Sequence, residues 1–439
     1  VYGNTFVSNR HAIAGGKGSD HTGYRAWYNL VLADAPLQID FGIFDFHTHD
    51  FDMHGMGDNG FGGIGGDYID IYRNTFLGTN RHNFELRGDP CNYAEFHENI
   101  SLESQGDAVN WKTCPDVCLA SAASPSLFRI SSSPNQFGHA DPTIGPAALG
   151  VGDFDGDGVD DLFLATGTAW YYSPAGKAEW RFLSAKTDTI GQLLFGDFDG
   201  DGRIDVVALH GGEFVVSWGG VSEWEVLNRD PTGGKLLLLP GAVSAMAVGD
   251  FDGDKIADIF WADGQTWWVS YGGNTPFKEV QTSSFRRPDL RFGDFNGDGR
   301  TDVFGVGSKN WQVSYAPASG QGLFSSWTAL RTRMTNSASD LIVADFDGDG
   351  VADVATDCAD PGCWRISYRG ANDWTKVSQP TSLIGDLVGV GHFRSSASTD
   401  VLTWNMFGKC DQSHGQSTQL CISPAASERA IHYSTQDMR

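Results

Sequence analysis

Aspartate recurs in this chain at a spacing that suits a hard cation. In VGDFDGDGVDDLF, residues 151–163, Asp153, Asp155, Asp157 and Asp161 stand at relative positions 1, 3, 5 and 9, with Gly156 and Gly158 between them. The pattern returns as Asp197, Asp199, Asp201 and Asp205, and again as Asp250, Asp252, Asp254 and Asp258. Two further copies hold Asp294, Asn296, Asp298 and Asp302, then Asp345, Asp347, Asp349 and Asp353. Ca2+ takes roughly six to eight oxygens from carboxylates and carbonyls of a tightly curled loop. In such a curl positions 1, 3 and 5 point inward, glycine permits the left-handed turn, and position 7 offers its carbonyl. Position 9 returns from the following strand and closes the shell. The spacing therefore predicts about five structural Ca2+ ions.

Two other readings of these loops are weaker. An EF-hand needs Glu at position 12 between helices, and position 12 is Leu164, Ala208, Trp261, Gly305 or Thr356. Asp-Gly pairs also build plain hairpins, yet three or four carboxylates converging without a cation repel one another. The copies vary as a metal site allows. Asn296 keeps an oxygen at position 3, and Lys255 replaces a glycine where no ligand is expected. A sixth copy, GHFRSSASTD, puts His392, Arg394 and Ser396 at positions 1, 3 and 5. No Ca2+ is expected there, with Arg394 as a built-in cation beside Asp400.

A second cluster lies in FHTHDFDMHG, which brings His47, His49, Asp50, Asp52 and His54 within eight residues. On a strand, His47 and His49 share one face and Asp50, Asp52 and His54 the other. Imidazole and carboxylate suit zinc or manganese, or acid–base cleavage of a polysaccharide with His49, Asp52 and His54 as candidate catalytic groups. His11, Lys17, Tyr24, Arg81 and Arg87 are nearby candidates in sequence. Stacked polar residues on a solvated face are the bland alternative. Arg87-Gly88-Asp89 spells an adhesive tripeptide, although Pro90 and Cys91 after it read as a rigid turn.

The elements that must position these residues repeat as well. Residues 1–110 carry Asn4, Asn29, Asn74 and Asn99, spaced 25, 45 and 25 apart, among short alternating segments such as YIDIYRNTF and NFELRG. Strand–turn units at that period predict a solenoid whose coils stack. The segment resembles a short right-handed parallel β-helix in which each Asn caps a turn. Its opening, VYGNTF, already lies inside the repeat, so further coils upstream are expected. Residues 111–127 read as a linker. From 128 to 439 the aspartate loops recur at 44, 53, 44, 51 and 47 residues. Each unit offers four strands, including an aromatic one (WYYS, FVVSW, WWVSY, WQVSY, WRISY) and a fourth marked by Trp180, Trp224, Phe277, Trp327 or Trp374. Four strands per repeat predict a β-propeller of six blades, or seven should the strand LFRIS at 127–131 form a blade instead of closing the ring.

The VGDFDGDG motifs make this part of the chain resemble the FG-GAP or VCBS repeat family of integrin-like, calcium-loop propellers. That resemblance implies lectin-like ligand binding on exposed loops between blades. The repeated tryptophans suit packing between sheets. Trp218, Trp261 and Trp268 are additional to the repeat and are the candidate ligand-binding residues.

Composition narrows the function. With 40% hydrophobic residues the chain can fold, and a net charge of −25 disfavours nucleic acid and anionic membrane. No apolar run is long enough to span a bilayer as a helix. Cys358 with Cys363, and Cys410 with Cys421, read as disulfide staples of an oxidising compartment; Cys91, Cys114 and Cys118 leave one over. The all-β chain is thus expected to be secreted or extracellular and to bind glycans or glycoproteins in carbohydrate recognition or adhesion. A polysaccharide lyase or glycoside hydrolase with catalysis in the β-helix is one alternative. The other is a structural subunit of an extracellular assembly, with self-association or other subunits as partners.

Overall fold

The computed structural model describes residues 1–6, 12–15, 23–31, 49–54, 65–76, 82–88, 90, 93–101, 109–111, 128–130, 149–176, 180–227, 243–332, 337–358, 363–378, 384, 387–393, 398–404 and 431–433. Its first part consists of three parallel four-stranded sheets, visited in rotation by successive strands. The first sheet contains Thr5–Phe6, Leu30–Val31, Thr75–Phe76 and Ile100–Ser101. The second contains Ile13–Gly15, His49–Met53, His82–Leu86 and Val109–Trp111, and the third Gly23–Trp27, Tyr68–Tyr72, Tyr93–His97 and Phe128–Ile130. Period-2 alternation sends Val31, Phe76, Phe51, Phe84, Ile69, Ile71 and Phe96 into one shared core.

The four asparagines form a ladder through this part. Asn4 Nδ2 donates to Asn29 Oδ1 at 3.1 Å, Asn29 Nδ2 to Asn74 Oδ1 at 2.8 Å, and Asn74 Nδ2 to Asn99 Oδ1 at 3.0 Å. Each Oδ1 also accepts the main-chain N–H of the asparagine one coil earlier, at 3.0–3.1 Å. The residue before each rung is in the left-handed region: Gly3, Tyr28, Arg73 and Glu98, with φ of 65°, 53°, 54° and 55°. Asparagine suits these turns because one short side chain carries an oxygen that accepts twice and an amide that donates twice. Beside the ladder, Tyr2, Trp27, Tyr72 and His97 stack face to face, with centroids 5.1–5.7 Å apart.

The described residues between 149 and 433 form a propeller with five complete four-stranded antiparallel blades. They begin at Leu149–Gly152, Leu193–Gly196, Met246–Gly249, Leu290–Gly293 and Ile342–Ala344, and end at Arg181–Ser184, Glu225–Val226, Lys278–Thr282, Thr328–Thr332 and Thr375–Ser378. The expected count of six or seven is corrected. The sixth repeat gives only a three-stranded sheet, Leu387–Gly391, Asp400–Trp404 and Ile431–Tyr433, because no fourth strand pairs with Ile431–Tyr433 among the described residues. That sheet closes the ring against the first blade, with Gly389 lying against Val151. Phe128–Ile130, expected to close the ring or start a blade, instead pairs in parallel with Ala94–Phe96 and extends the third N-terminal sheet. Only Trp111 of the expected linker is described.

Aromatic edges hold neighbouring blades together. Trp170 meets Trp224 of the next blade at 5.5 Å, Trp267 meets Trp327 at 5.3 Å, and Trp311 meets Trp374 at 5.3 Å, all near perpendicular. The repeat tryptophans are packing residues.

The first N-terminal sheet turns its outer face to the first blade, which explains why Leu30 and Thr75 are fully buried although they point away from Val31 and Phe76. Thr5 Oγ1 donates to Trp180 O at 2.6 Å, Tyr171 OH donates to Tyr28 O at 2.7 Å, and Thr75 Oγ1 lies 2.9 Å from Thr168 Oγ1. Replacing Asn74 with Ala strands the two donors of Asn29 in a buried site. We expect a loss of about 1–3 kcal/mol in denaturant unfolding, and an unchanged midpoint would show that the ladder is idle.

Candidate metal centre

Each aspartate loop is built the same way from its residues upward. The position-1 carboxylate accepts the N–H of position 4 through Oδ1 (Gly156, Gly200, Gly253, Gly297 and Gly348, 2.6–2.7 Å). Through Oδ2 it accepts the N–H of position 6 (Gly158, Gly202, Lys255, Gly299 and Gly350, 2.7–2.9 Å). These bonds curl the chain. Position 5 Oδ1 accepts the N–H of position 7, Val159, Arg203, Ile256, Arg300 or Val351, at 2.8–3.0 Å.

Position 9 anchors the loop in the blade. Its Oδ2 accepts the N–H of the position-2 phenylalanine, Phe154, Phe198, Phe251, Phe295 or Phe346, at 2.7–2.9 Å. Its Oδ1 accepts an N–H from the turn after the third strand, at Ala175, Gly219, Gly272, Ala316 or Arg369, 2.7–2.9 Å away. Sequence reasoning missed both partners. The recurring Phe after the first Asp was the available signal for one. The Gly-Gly or Arg-Gly after the second, third and fifth aromatic strands was a signal for the other, whereas the first and fourth carry Ala175-Gly176 and Ala316-Pro317 there.

The carboxylates do converge. Oxygens of Asp153, Asp155 and Asp161 lie within 4.8 Å of one another, as do those of Asp197, Asp199 and Asp205, of Asp250, Asp252 and Asp254, and of Asp345, Asp347 and Asp353. Oδ1 of Asp155 and of Asp252, both at position 3, is buried without a hydrogen-bond partner. An all-oxygen donor set with unanswered inward oxygens fits a hard divalent cation. The fourth loop is different. Asn296 Nδ2 and Arg300 Nη1 both donate to Asp298 Oδ2, at 3.3 and 3.2 Å. In the fifth, Arg369 grips Asp349 Oδ2 through Nε at 2.8 Å and Nη2 at 2.7 Å. In the sixth, His392 N–H donates to the Asp160 carboxylate; Arg394 and Ser396 lie outside the described residues.

Burial pushes the position-9 carboxyls upward, to about 6 for Asp161 and Asp205 and to about 7 for Asp258, Asp302 and Asp353. Two N–H donors pull the other way without prevailing.

The other candidates are placed as follows. His49 belongs to a strand, its side chain lying outside the described residues together with His11, Lys17, His47 and Arg81. Asp52 is fully buried, with His54 Nε2 2.7 Å from its Oδ2 and Arg87 Nε 3.4 Å from its Oδ1; Arg87 also donates to Glu85 Oε1 at 3.1 Å. Burial pushes the Tyr24 phenol upward, reinforced by the Asp52 charge. These groups form an internal ion network. Arg87 is buried in it, and Asp89 of the Arg-Gly-Asp sequence lies outside the described residues. Trp218, Trp261 and Trp268 meet in one apolar cluster between the second and third blades, where Trp261 is only 5% exposed and the other two are half-buried. A group that sequence reasoning missed, Asp70, Glu95 and His97, converges on the outer face of the third sheet; His97 Nε2 is 3.0 Å from Asp70 Oδ1 and Arg25 Nε 3.7 Å from its Oδ2. The disulfide Cys358–Cys363 closes a hairpin of the fifth blade, and the other five cysteines lie outside the described residues.

A model of FG-GAP-like repeats matches residues 153–208 and 294–356, which hold the first, second, fourth and fifth loops. The chain carries FG-GAP-like repeats. No curated protein matches it. Among solved structures, an Agrocybe aegerita lectin that recognises non-reducing terminal N-acetylglucosamine is 16% identical, with 63% of this chain and 80% of that chain covered and a TM-score of 0.43. The Photorhabdus luminescens Tc holotoxin pore is 16% identical over 60% of this chain and 13% of its own, with a TM-score of 0.42. BBS1N, from its complex with ARL6DN, is 10% identical over 60% of this chain and 76% of its own, at 0.34.

In the third loop Lys255 holds φ at 71°, where the other four loops have glycine at 81–91°. Lys255→Gly should stabilise the protein by about 1 kcal/mol in chemical denaturation; a neutral or destabilising result would mean that the lysine side chain compensates for the strain. The raised carboxyls set a second expectation. A folded-state pKa above the unfolded value favours the folded protein below about pH 4, and that contribution is lost as pH rises through about 6 to 7. The metal-free protein should therefore lose stability from pH 5 to pH 8. A bound cation favours the ionised carboxylates, so the gap between calcium-loaded and chelated melting temperatures should widen over the same range, and a constant gap would contradict this account.

Proposed function

We propose that this is a secreted, calcium-loaded β-propeller that binds glycans or glycoproteins at the cell surface or in the extracellular matrix, built on a short right-handed parallel β-helix. The calcium part rests on one observation: carboxylate oxygens converge in four of the loops, and at position 3 two of them are buried and unanswered. Asp153, Asp155, Asp157 and Asp161, with their counterparts in the other four loops, would hold the ions, including Asn296 in the fourth. Bound calcium supplies positive charge that holds the loops closed. The residues themselves curl the loop and tie it to the third strand. No helix among the described residues is long and apolar enough to cross a membrane. The Cys358–Cys363 disulfide supports an oxidising, extracellular setting.

Carbohydrate binding is supported by the tryptophans that exceed the packing repeat. Trp218 and Trp268 are half-buried at the junction of the second and third blades, where partly open indole rings offer apolar surface to a sugar ring. Trp261 serves as their buried backing. Cleavage in the N-terminal sheets has less support, since Asp52 is fully buried and engaged by His54 and Arg87.

A glycan array probed with the calcium-loaded full chain, alongside Trp218→Ala and Trp268→Ala, tests this reading. We expect a carbohydrate signal that falls at least about tenfold in the variants and a melting temperature that drops on chelation. A blank array from a calcium-loaded protein would remove the carbohydrate reading. An unchanged melt with no metal by elemental analysis would remove the calcium.

A further inference from the structure

Main-chain hydrogen bonds join all six loops in a closed circle. The N–H of position 8 donates to the carbonyl of position 1 in the preceding loop: Ile204 to Asp153 at 2.8 Å, Ala257 to Asp197 at 2.7 Å and Thr301 to Asp250 at 2.6 Å. Ala352 to Asp294 at 2.6 Å, Thr399 to Asp345 at 2.8 Å and Asp160 to His392 at 2.9 Å complete it. Each bond links a position-1 residue of one loop to the residue directly before position 9 of the next. A side chain strengthens two junctions. Arg300 spans the third and fourth loops, donating from Nε to Asp252 O at 3.2 Å and from Nη1 to Asp298 Oδ2 at 3.2 Å. Arg203 of the second loop lies over Gly156 of the first, its Nε 2.8 Å from where a Cβ would stand. At the junctions of the second with the third loop and the fourth with the fifth, Ile256 and Val351 pack in that place, 3.8 and 3.3 Å from the corresponding point.

We propose that the five aspartate loops bind calcium as coupled neighbours, each filled loop raising the affinity of the next. The inference rests on calcium being the loops' ligand. A metal-free loop holds converging like charges, and repulsion between them loosens its backbone. Filling the third loop would fix Asp250, hence the carbonyl that receives Thr301 N–H, hence the position of Asp302. The fourth loop then meets its ion with part of the ordering already done, which is positive coupling. His392 carries no carboxylate at position 1, so the coupled array runs from the first loop to the fifth, and the sixth closes the circle through Asp160.

Calcium chloride titrated into the chelated full chain, with amide hydrogen exchange of each loop followed by mass spectrometry, tests this directly. In Asp250→Ala the protection midpoints of loops 197–205 and 294–302 should move to calcium concentrations at least about fivefold higher than in the unsubstituted chain. Unshifted midpoints in both neighbours would overturn the coupling. Should Asp250→Ala lose protection in the blade strands themselves, Asp254→Asn, which weakens the third loop but keeps the hydrogen bonds of Asp250, is read by the same criterion. An unsubstituted chain with no calcium-dependent protection and no bound metal would instead remove the calcium reading, and the coupling with it.

Discussion

A buried carboxylate at loop position 9 is the constraint on which the propeller depends. Asp161, Asp205, Asp258, Asp302 and Asp353 are almost completely shielded from water. Each sits on the second strand of its blade and holds two remote N–H groups, one at the start of the loop and one at the turn after the third strand. A carboxylate in such a place must be hydrogen-bonded, neutralised or paired with a cation. The first is met by main-chain donors, and the raised pKa of each group shows that the donors alone do not offset desolvation. The remaining positions of the loop place more acidic oxygens beside it, and like charges so close repel one another.

That anchored loop also sets how blades meet. It holds the phenylalanine of position 2 in the core, where Phe154, Phe251 and Phe295 pack against Phe163, Phe260 and Phe304 of the second strand. The outer edge is held by aromatic pairs across blades. Inner and outer contacts together fix the angle between neighbours. The sixth repeat lacks the aspartates of the loop and, among the described residues, a fourth strand, yet it keeps the inner strand and the main-chain link that close the ring. Asp160 and His392 make that seam.

The N-terminal part solves a different problem. Parallel strands two to five residues long have little cross-strand energy of their own. Buried asparagines, hydrogen-bonded rung to rung, satisfy the backbone at each turn and set the register of the coils. Their outer face is then completed by the first blade, so the two parts share one interface. Asp52, Glu85 and Arg87 are buried together within this part of the chain, with His54 at their edge.

The repeats themselves were legible in the sequence. Spacing of aspartate, glycine and aromatic residues specified the loops, the four strands and their order, because each unit folds on local contacts. The asparagine period likewise announced stacked turns. What required the tertiary structure was every property that depends on a neighbour. The number of complete blades turned on whether a final strand found a partner. The place of Phe128–Ile130 was decided by a free parallel edge at Tyr93–His97, which no pattern within LFRIS could reveal. Trp261 and Trp268 read alike in sequence, and only the facing blade buries one and leaves the other half open. That His54 and Arg87 come to the same carboxylate, Asp52, from 2.7 and 3.4 Å could be read only from the folded chain, because Arg87 arrives on the next coil. Local chemistry is written in the order of residues, whereas exposure, closure and pairing arise where distant segments meet.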